Sequence, residues 1–256
     1  MNPTLDAFAP PEIRNRVVEA ATKKAALRPD RCVALGVLAG GFIALGAIAS
    51  LVAATGTADL GHGLQRLLVG AAFSIGLGLV VVAGAELFTG DNLMAMAWVD
   101  GRVTGRDIAR TWGFALLGNI LGSVGMAVAW WASDPSDNLV ATLQSSVSAK
   151  TALLPLAAFA RGVLCNVLVC LGVWCAFSCR GTGEKLLAVF LPVTVFVAAG
   201  FEHSVANVFL FAAAACLGEL DLGGALQNLA LVTLGNVVGG VGLVGLVYAW
   251  IYPRAS

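Results

Sequence analysis

Residues 199–208 read AGFEHSVANV. The stretch lies inside an apolar run from Leu186 to Leu217, longer than the about 20 residues one helix needs to cross a bilayer. Gly200 and Phe201 are followed by Glu202, His203, Ser204 and, one turn on, Asn207. Polar and ionisable groups at mid-bilayer are expensive and mark function. The pattern predicts a helix that stops and restarts at this point. Such a break frees backbone N–H and C=O groups, which survive at membrane depth only against protein or a water-lined cavity. A second run, 67–98, carries AGAELFTGDN at 83–92, which aligns with the first and sets Glu86 on Glu202.

The rest of the chain agrees with a membrane fold. Its 256 residues are 59% hydrophobic and only 12% charged, against about one quarter charged in soluble domains. Mean hydropathy is +0.88. Six apolar segments are legible, near 32–54, 67–98, 108–132, 151–178, 186–217 and 226–251. The expectation is an all-α integral membrane protein of six transmembrane helices with the second and fifth broken. Glycine, 31 residues in all, is abundant enough to imply closely packed helices. Net charge is zero, so no nucleic-acid partner is implied.

The chain repeats itself. LGNILGSVG (117–125) and LGNVVGGVG (234–242) match at Gly118/Gly235, Asn119/Asn236, Gly122/Gly239 and Gly125/Gly242, at nearly the offset that pairs Glu86 with Glu202. Three spans per half is an odd number, so the halves lie upside down to each other, a 3+3 inverted repeat of the kind found in transporters and channels. In such folds, interrupted segments at matching places are the best pointer to the permeation site.

Basic residues set the orientation. Arg14, Arg16, Lys23, Lys24, Arg28 and Arg31 precede the first span, Arg102, Arg106 and Arg110 follow the second, Arg180 and Lys185 follow the fourth, and Arg254 ends the chain. With six spans all of these fall on one side, so both termini are expected in the cytoplasm of a cytoplasmic (inner) membrane. The division expected is a cytoplasmic amphipathic segment at 1–31, a six-span domain at 32–251 and a tail at 252–256. PPEIRNRVVEAATKKAALRP is expected to lie along the membrane surface. The six cysteines rotate around their helices, which favours neither a metal site nor a disulfide framework.

His203 has no counterpart in the first half, where Leu87 stands. An imidazole changes charge near neutral pH, so it can attract an anion or hand it a proton. Glu86 and Glu202 are read as holding the loops by accepting hydrogen bonds from freed amides. Thr89 is read as capping the half-helix that begins near Asp91, or as bonding substrate or the imidazole. Half-helix N-termini aimed at the centre also favour an anion. Lys150 sits at a mouth of the fourth span, either recruiting anions or snorkelling.

At these residues the chain resembles a known family. AELFTGDN (85–92), CNVLVCLGVW (165–174), GFEHSVANVF (200–209) and TLGNVVGG (233–240) are similar to the formate/nitrite transporter family along essentially the whole length. The resemblance implies an aquaporin-like protomer in a homopentamer, with a pore in each protomer, carrying small monovalent anions such as formate, nitrite or hydrosulfide with pH dependence. By position it implies a substrate pathway of His203, Thr89, Glu202, Asn207, Asn166 and Lys150, and apolar constrictions at Phe73, Leu77, Leu87, Phe88 and Phe196. Gly90-Asp91 departs from the serines of some formate-type members, and Arg161 has no role in this reading. The partners expected are small anions, protons and the lipid bilayer, with no cofactor.

The alternative is a neutral-solute channel of the same architecture. A membrane enzyme using Glu202 and His203 is disfavoured, since the spans show no second histidine and no clustered carboxylates.

Overall fold

The computed structural model describes residues 6–57 and 59–253. Arg254 and the rest of the expected tail beyond residue 253, like the first five residues of the N-terminal segment, lie outside the described residues.

The first half comprises α1 (Pro10–Ala25), α2 (Pro29–Gly56), α3 (His62–Ala83), a 3₁₀ turn at Gly90–Met94 leading into α4 (Ala95–Val99), and α5 (Gly105–Ala132). The second comprises α6 (Asp137–Thr151), α7 (Pro155–Ser178), α8 (Thr182–Ala198), α9 (Ser204–Cys216) and α10 (Leu222–Val237). From α10 the chain runs through wide π-type turns at Val238–Leu246 into α11 (Val247–Ile251). Five helical segments are long and apolar enough to cross a membrane: α2, α3, α5, α7 and the continuous Leu222–Ile251. The short α8 and α9 flank the second break, as α3 and α4 flank the first.

Local chemistry sets these boundaries. Pro29 and Pro155 open α2 and α7, where the missing N–H has no partner to lose. The helices before the breaks end at Gly84 (φ 78°) and Gly200 (φ 75°), left-handed positions at which a side chain would be strained. Close crossings replace a large apolar core. A Cβ on Gly36 would lie 2.8 Å from the Ala115 carbonyl oxygen, and one on Gly162 would lie 2.7 Å from that of Val232. So α2 meets α5, and α7 meets α10, backbone to backbone.

Two expectations change. The amphipathic α1 does not present its apolar face to lipid. Ile13, Val17, Val18 and Ala21 are buried in one cluster with Met94, Met96, Ile108 and Trp174. The physical reason is a better partner: the open end of the first break supplies an apolar groove of the chain's own. The 133–150 connection, in turn, folds largely as α6, which occupies in the second half the place α1 holds in the first. Each short helix has a lysine in its last turn, Lys24 or Lys150, just before the proline that opens the next span. The repeat is therefore four elements long on each side, one more than the apolar pattern reveals.

Candidate permeation pathway

Both breaks are held by an asparagine on the facing long helix. At the first, the Phe88 N–H donates to Asn119 Oδ1 (2.9 Å), and Asn119 Nδ2 donates to the carbonyls of Gly36 (2.9 Å) and Glu86 (2.8 Å). At the second, the Ser204 N–H donates to Asn236 Oδ1 (3.0 Å), and Asn236 Nδ2 donates to the carbonyls of Gly162 (2.8 Å) and Glu202 (3.0 Å). Backbone bonds from Glu86 to Leu35 and from Glu202 to Arg161 complete each frame. The asparagines, not the glutamates, thus take up the freed backbone groups. A planar amide offers donor and acceptor together, whereas a carboxylate only accepts.

The glutamates do something else. Lys150 Nζ lies 2.9 Å from both oxygens of Glu202, and Asn207 Nδ2 donates to Glu202 Oε2 at 2.7 Å. Asn207 Nδ2 also reaches Asn228 Oδ1 (2.8 Å), and Asn228 Nδ2 donates to the Lys150 carbonyl (3.1 Å). Lys150 is therefore an ion-pair partner and not a free snorkelling cation. In the first half Lys24 Nζ lies 2.7 Å from Glu86 and 2.6 Å from Asp91. The two carboxylates of this one break are thus clustered after all, sharing an ammonium that α1 brings to them. Lys24 lies outside the spans. Burial works against its charge, and the Asp91 and Glu86 carboxylates outweigh that, holding the ammonium well above the ordinary lysine range.

Between the two frames His203 Nε2 and Thr89 Oγ1 are 3.0 Å apart, with both residues buried. His203 Nδ1 accepts from the Ala206 N–H at 3.2 Å. A nitrogen that accepts carries no proton, so the neutral ring keeps its hydrogen on Nε2 and donates it to Thr89. Thr89 makes no capping bond with its side chain, contrary to the cap reading; its hydroxyl hydrogen is left for another acceptor. The Thr89 carbonyl accepts from Asn166 Nδ2 at 3.2 Å and from Cys170 Sγ at 3.5 Å.

Two cavities approach this pair from opposite faces. One, of about 250 Å³ on the α1 face, is lined by Lys24, Glu86, Asp91, Lys185, Leu77 and Leu87. The other, of about 240 Å³ on the α6 face, reaches His203 past Lys150, Arg161, Arg66, Phe73 and Phe196, with Glu202 and Asn207 in its wall. They share no lining residue. Phe196 stacks over the imidazole with centroids 6.1 Å apart and meets Phe73 edge-on at 5.7 Å. Thr89, Phe88 and Asn166 line neither cavity. Phe88 packs edge-on against Trp112, and Asn166 bonds Asn92 Oδ1 (2.8 Å) and the Asn236 carbonyl (2.7 Å).

The comparisons with known proteins join this geometry. The family pattern described as Formate/nitrite transporter matches residues 11–250. The chain belongs to the formate/nitrite transporter family. It is 33% identical to the formate channel FocA of Escherichia coli over 98% of this chain and 96% of that one. It is 36% identical to the nitrite transporter NirC of Salmonella typhimurium over 86% of this chain and 82% of that one. Among solved structures, an FNT family ion channel superposes with TM-score 0.86 at 34% identity, covering 94% of this chain and 99% of the other. A pentameric formate channel with formate bound gives TM-score 0.80 at 34% identity, covering 88% and 98%. This formate/nitrite transporter is therefore a multi-pass membrane protein for channel-type transport of small anions, not an enzyme, and the neutral-solute alternative falls away.

Several residues of this transporter's site escape a reading by composition. Lys24, Asn228 and Arg66 have no local pattern that announces them. Asn119 and Asn236 recur in the repeated LGN strings, where the glycines beside them already account for the repeat as helix contacts. Arg161 gains a place: its Nη1 lies 3.5 Å from the Gly200 carbonyl, while Arg66 donates to the carbonyls of Ala198 (2.8 Å) and Val197 (3.0 Å). Both arginines sit at the negative end of α8.

Proposed function

We propose that the transporter carries formate or nitrite, with hydrosulfide a further candidate, along a path from one cavity past Thr89 and His203 to the other, in a pH-dependent manner. Lys150, Arg66 and Arg161 draw the anion to the α6 face; Glu202 and Asn207 hold Lys150 in place. Phe73 and Phe196 narrow the path on that side, and Leu77 and Leu87 on the other. At the centre the Thr89 hydroxyl, its lone pair engaged by His203 Nε2–H, presents its hydrogen to the anion. A second proton reaches the imidazole at Nδ1 only when the Ala206 bond opens, which couples ring protonation to movement at the start of α9. Asn166 keeps the Thr89 carbonyl in place from behind, and Phe88 anchors the same loop on α5.

The observation that carries this reading is the buried Thr89–His203 hydrogen bond, with His203 in the wall of the α6-face cavity and Leu87 and Gly90, on either side of the Thr89 loop, in the wall of the α1-face one. The α1 face, with most of the basic residues, is proposed as cytoplasmic, in an inner membrane. The N-terminal segment to residue 31 and the tail from 252 would then flank a six-span unit. A homopentamer is proposed from the likeness to the pentameric formate channel. The test is uptake of formate, nitrite and hydrosulfide side by side in proteoliposomes over a pH series. His203→Ala is expected to abolish the pH-dependent component. An unchanged pH profile in that variant removes the role given to the imidazole.

A further inference from the structure

The two ion-pair clusters differ at one repeat-related position. Asn207, a neutral amide, bonds Glu202 on the α6 face; its counterpart in the first half is Asp91. One ammonium, Lys24, thus faces two carboxylates, at 2.7 Å and 2.6 Å. Asp91 is 1% exposed, lines the α1-face cavity, and its Oδ2 has no hydrogen-bond partner although the atom is buried. An ionised carboxylate oxygen left bare in such a place is costly. A proton on it removes the second charge and turns the bare acceptor into an O–H donor.

We propose that Asp91 is a proton-binding site of the pathway, and that its ionisation sets how readily an anion reaches the centre from the α1 face. The proposal rests on reading the two cavities as the ends of one path. A hydronium in the cavity gives its proton to Oδ2 and leaves as water. With the proton in place, Lys24, Glu86 and Asp91 sum to zero, as Lys150, Glu202 and Asn207 do. Without it the α1-face mouth carries one more negative charge and holds anions less well. Among the described residues, Lys24 is the cation paired with the Asp91 carboxylate, and the other groups around it do not pair with it. Arg110 of α5 is engaged with the Ala25 carbonyl, and Trp112 donates to the Asp91 backbone carbonyl at 3.0 Å. Cys32 of α2 and Cys170 of α7 are buried free cysteines and bring no cation. Lys185 of α8 lines the same cavity without an ion-pair contact to either carboxylate among the described residues.

The experiment measures formate uptake in right-side-out and inverted membrane vesicles, with pH varied on one side at a time. In the wild type, alkalinising the α1 side is expected to slow uptake from that side on the order of tenfold. That is the effect of one unit charge roughly 10 Å from the anion at an effective dielectric near 20. Asp91→Asn should flatten that dependence while the response to α6-side pH stays. Asn207→Asp should create the mirror-image dependence on the α6 side. If Asp91→Asn transports formate with an unchanged α1-side profile, the proposal is overturned. If the wild type carries no anion at all, it is the proposed function that fails. Infrared difference spectra of purified protein give a readout that does not need transport: a protonated-carboxyl band that titrates in the wild type and is missing in Asp91→Asn. A wild type without such a band also overturns the proposal.

Discussion

The first and second breaks share a frame and differ in what it holds. Asn119 and Asn236 make the same three bonds, to the same backbone positions, on opposite faces. Within that common scaffold the repeat has diverged at the centre. His203 stands opposite Leu87 and Thr89 opposite Val205, so each half contributes one member of the central pair and an apolar residue in the other's place. Asn166 and Gly240 in the second half answer to Gly40 and Ser123 in the first, with bulk exchanged between helices. A Cβ on Gly240 would run into Asn166 Nδ2, and one on Gly40 into the backbone of Asn119. The lesson is that inverted symmetry builds the passage and its violations build the chemistry.

The sharpest way to break the comparison is to remove the shared part. Asn119→Ala and Asn236→Ala each strand a buried N–H and two carbonyls. At about 1–3 kcal/mol for each buried group left unpaired, the loss should be about 3–5 kcal/mol. Both variants are expected to lose most of the folded, monodisperse protein, as read by thermal unfolding in detergent. Tolerance of one and not the other would mean that the two frames are not equivalent.

The ion-pair clusters should respond unequally. Glu202→Gln leaves Lys150 with no carboxylate, and stranding a partly buried charge costs about 3 kcal/mol. Glu86→Gln leaves Lys24 with Asp91, so its cost should be nearer 1 kcal/mol, less than half as large. Equal shifts in melting temperature would show that Asp91 does not substitute for Glu86.

How much of this was open to a reader of the sequence follows from the same contrast. The breaks, the six-fold run of apolar segments and the inverted repeat are properties of pattern, and glycine followed by charge in an apolar run admits few other readings. The pairing of His203 with Thr89 is one of the readings that the polar residues at the breaks allow and the one that the family resemblance implies, and the structure supplies the distance and the direction of the proton. What stayed hidden depends on contacts between distant parts of the chain. Lys24 lies in a surface-like helix, and only folding brings it against Glu86 and Asp91. Helix α6 hid because its sequence, DNLVATLQSSVSAKT, is mostly polar and small. The loop-holding amides are hard to tell from sequence because they lie in strings dominated by glycine, whereas a glutamate at membrane depth is costly enough to imply a role by itself.

The central pair offers a smaller, purely functional test. Thr89→Val removes one hydroxyl in a buried position and keeps the branched shape. Uptake is expected to fall about tenfold, the effect of one hydrogen bond worth about 1.4 kcal/mol, with little change in melting temperature. Val205→Thr, at the repeat-related place, adds a hydroxyl where no imidazole waits and should restore nothing in the Thr89→Val background. Rescue there would imply that the two positions are interchangeable and that the asymmetry is accidental.

The smallest expected effect lies outside the membrane, at the starts of the repeat-related α5 and α10. Thr104 Oγ1 accepts from the Asp107 N–H at 3.1 Å, while the Asp107 carboxylate takes the Thr104 N–H at 3.0 Å and its hydroxyl at 2.7 Å. At α10 a single residue serves, Asp221 accepting from the Gly224 N–H at 3.1 Å. Thr104→Ala and Asp221→Ala should each cost about 1 kcal/mol, the usual value of an N-cap. Their pH behaviour differs in a predictable direction for α5. The hydrogen bonds from the Thr104 side chain and backbone hold the Asp107 carboxyl below its ordinary range. A carboxyl with a lowered folded-state pKa adds stability above its unfolded value and loses it as pH falls through the folded one. Melting curves of the wild type and Thr104→Ala should therefore converge as the buffer is taken from neutral to below the ordinary aspartate range. Curves that stay equally far apart at low pH would show that the Asp107 side of the cap contributes nothing, leaving α5 capped as simply as α10.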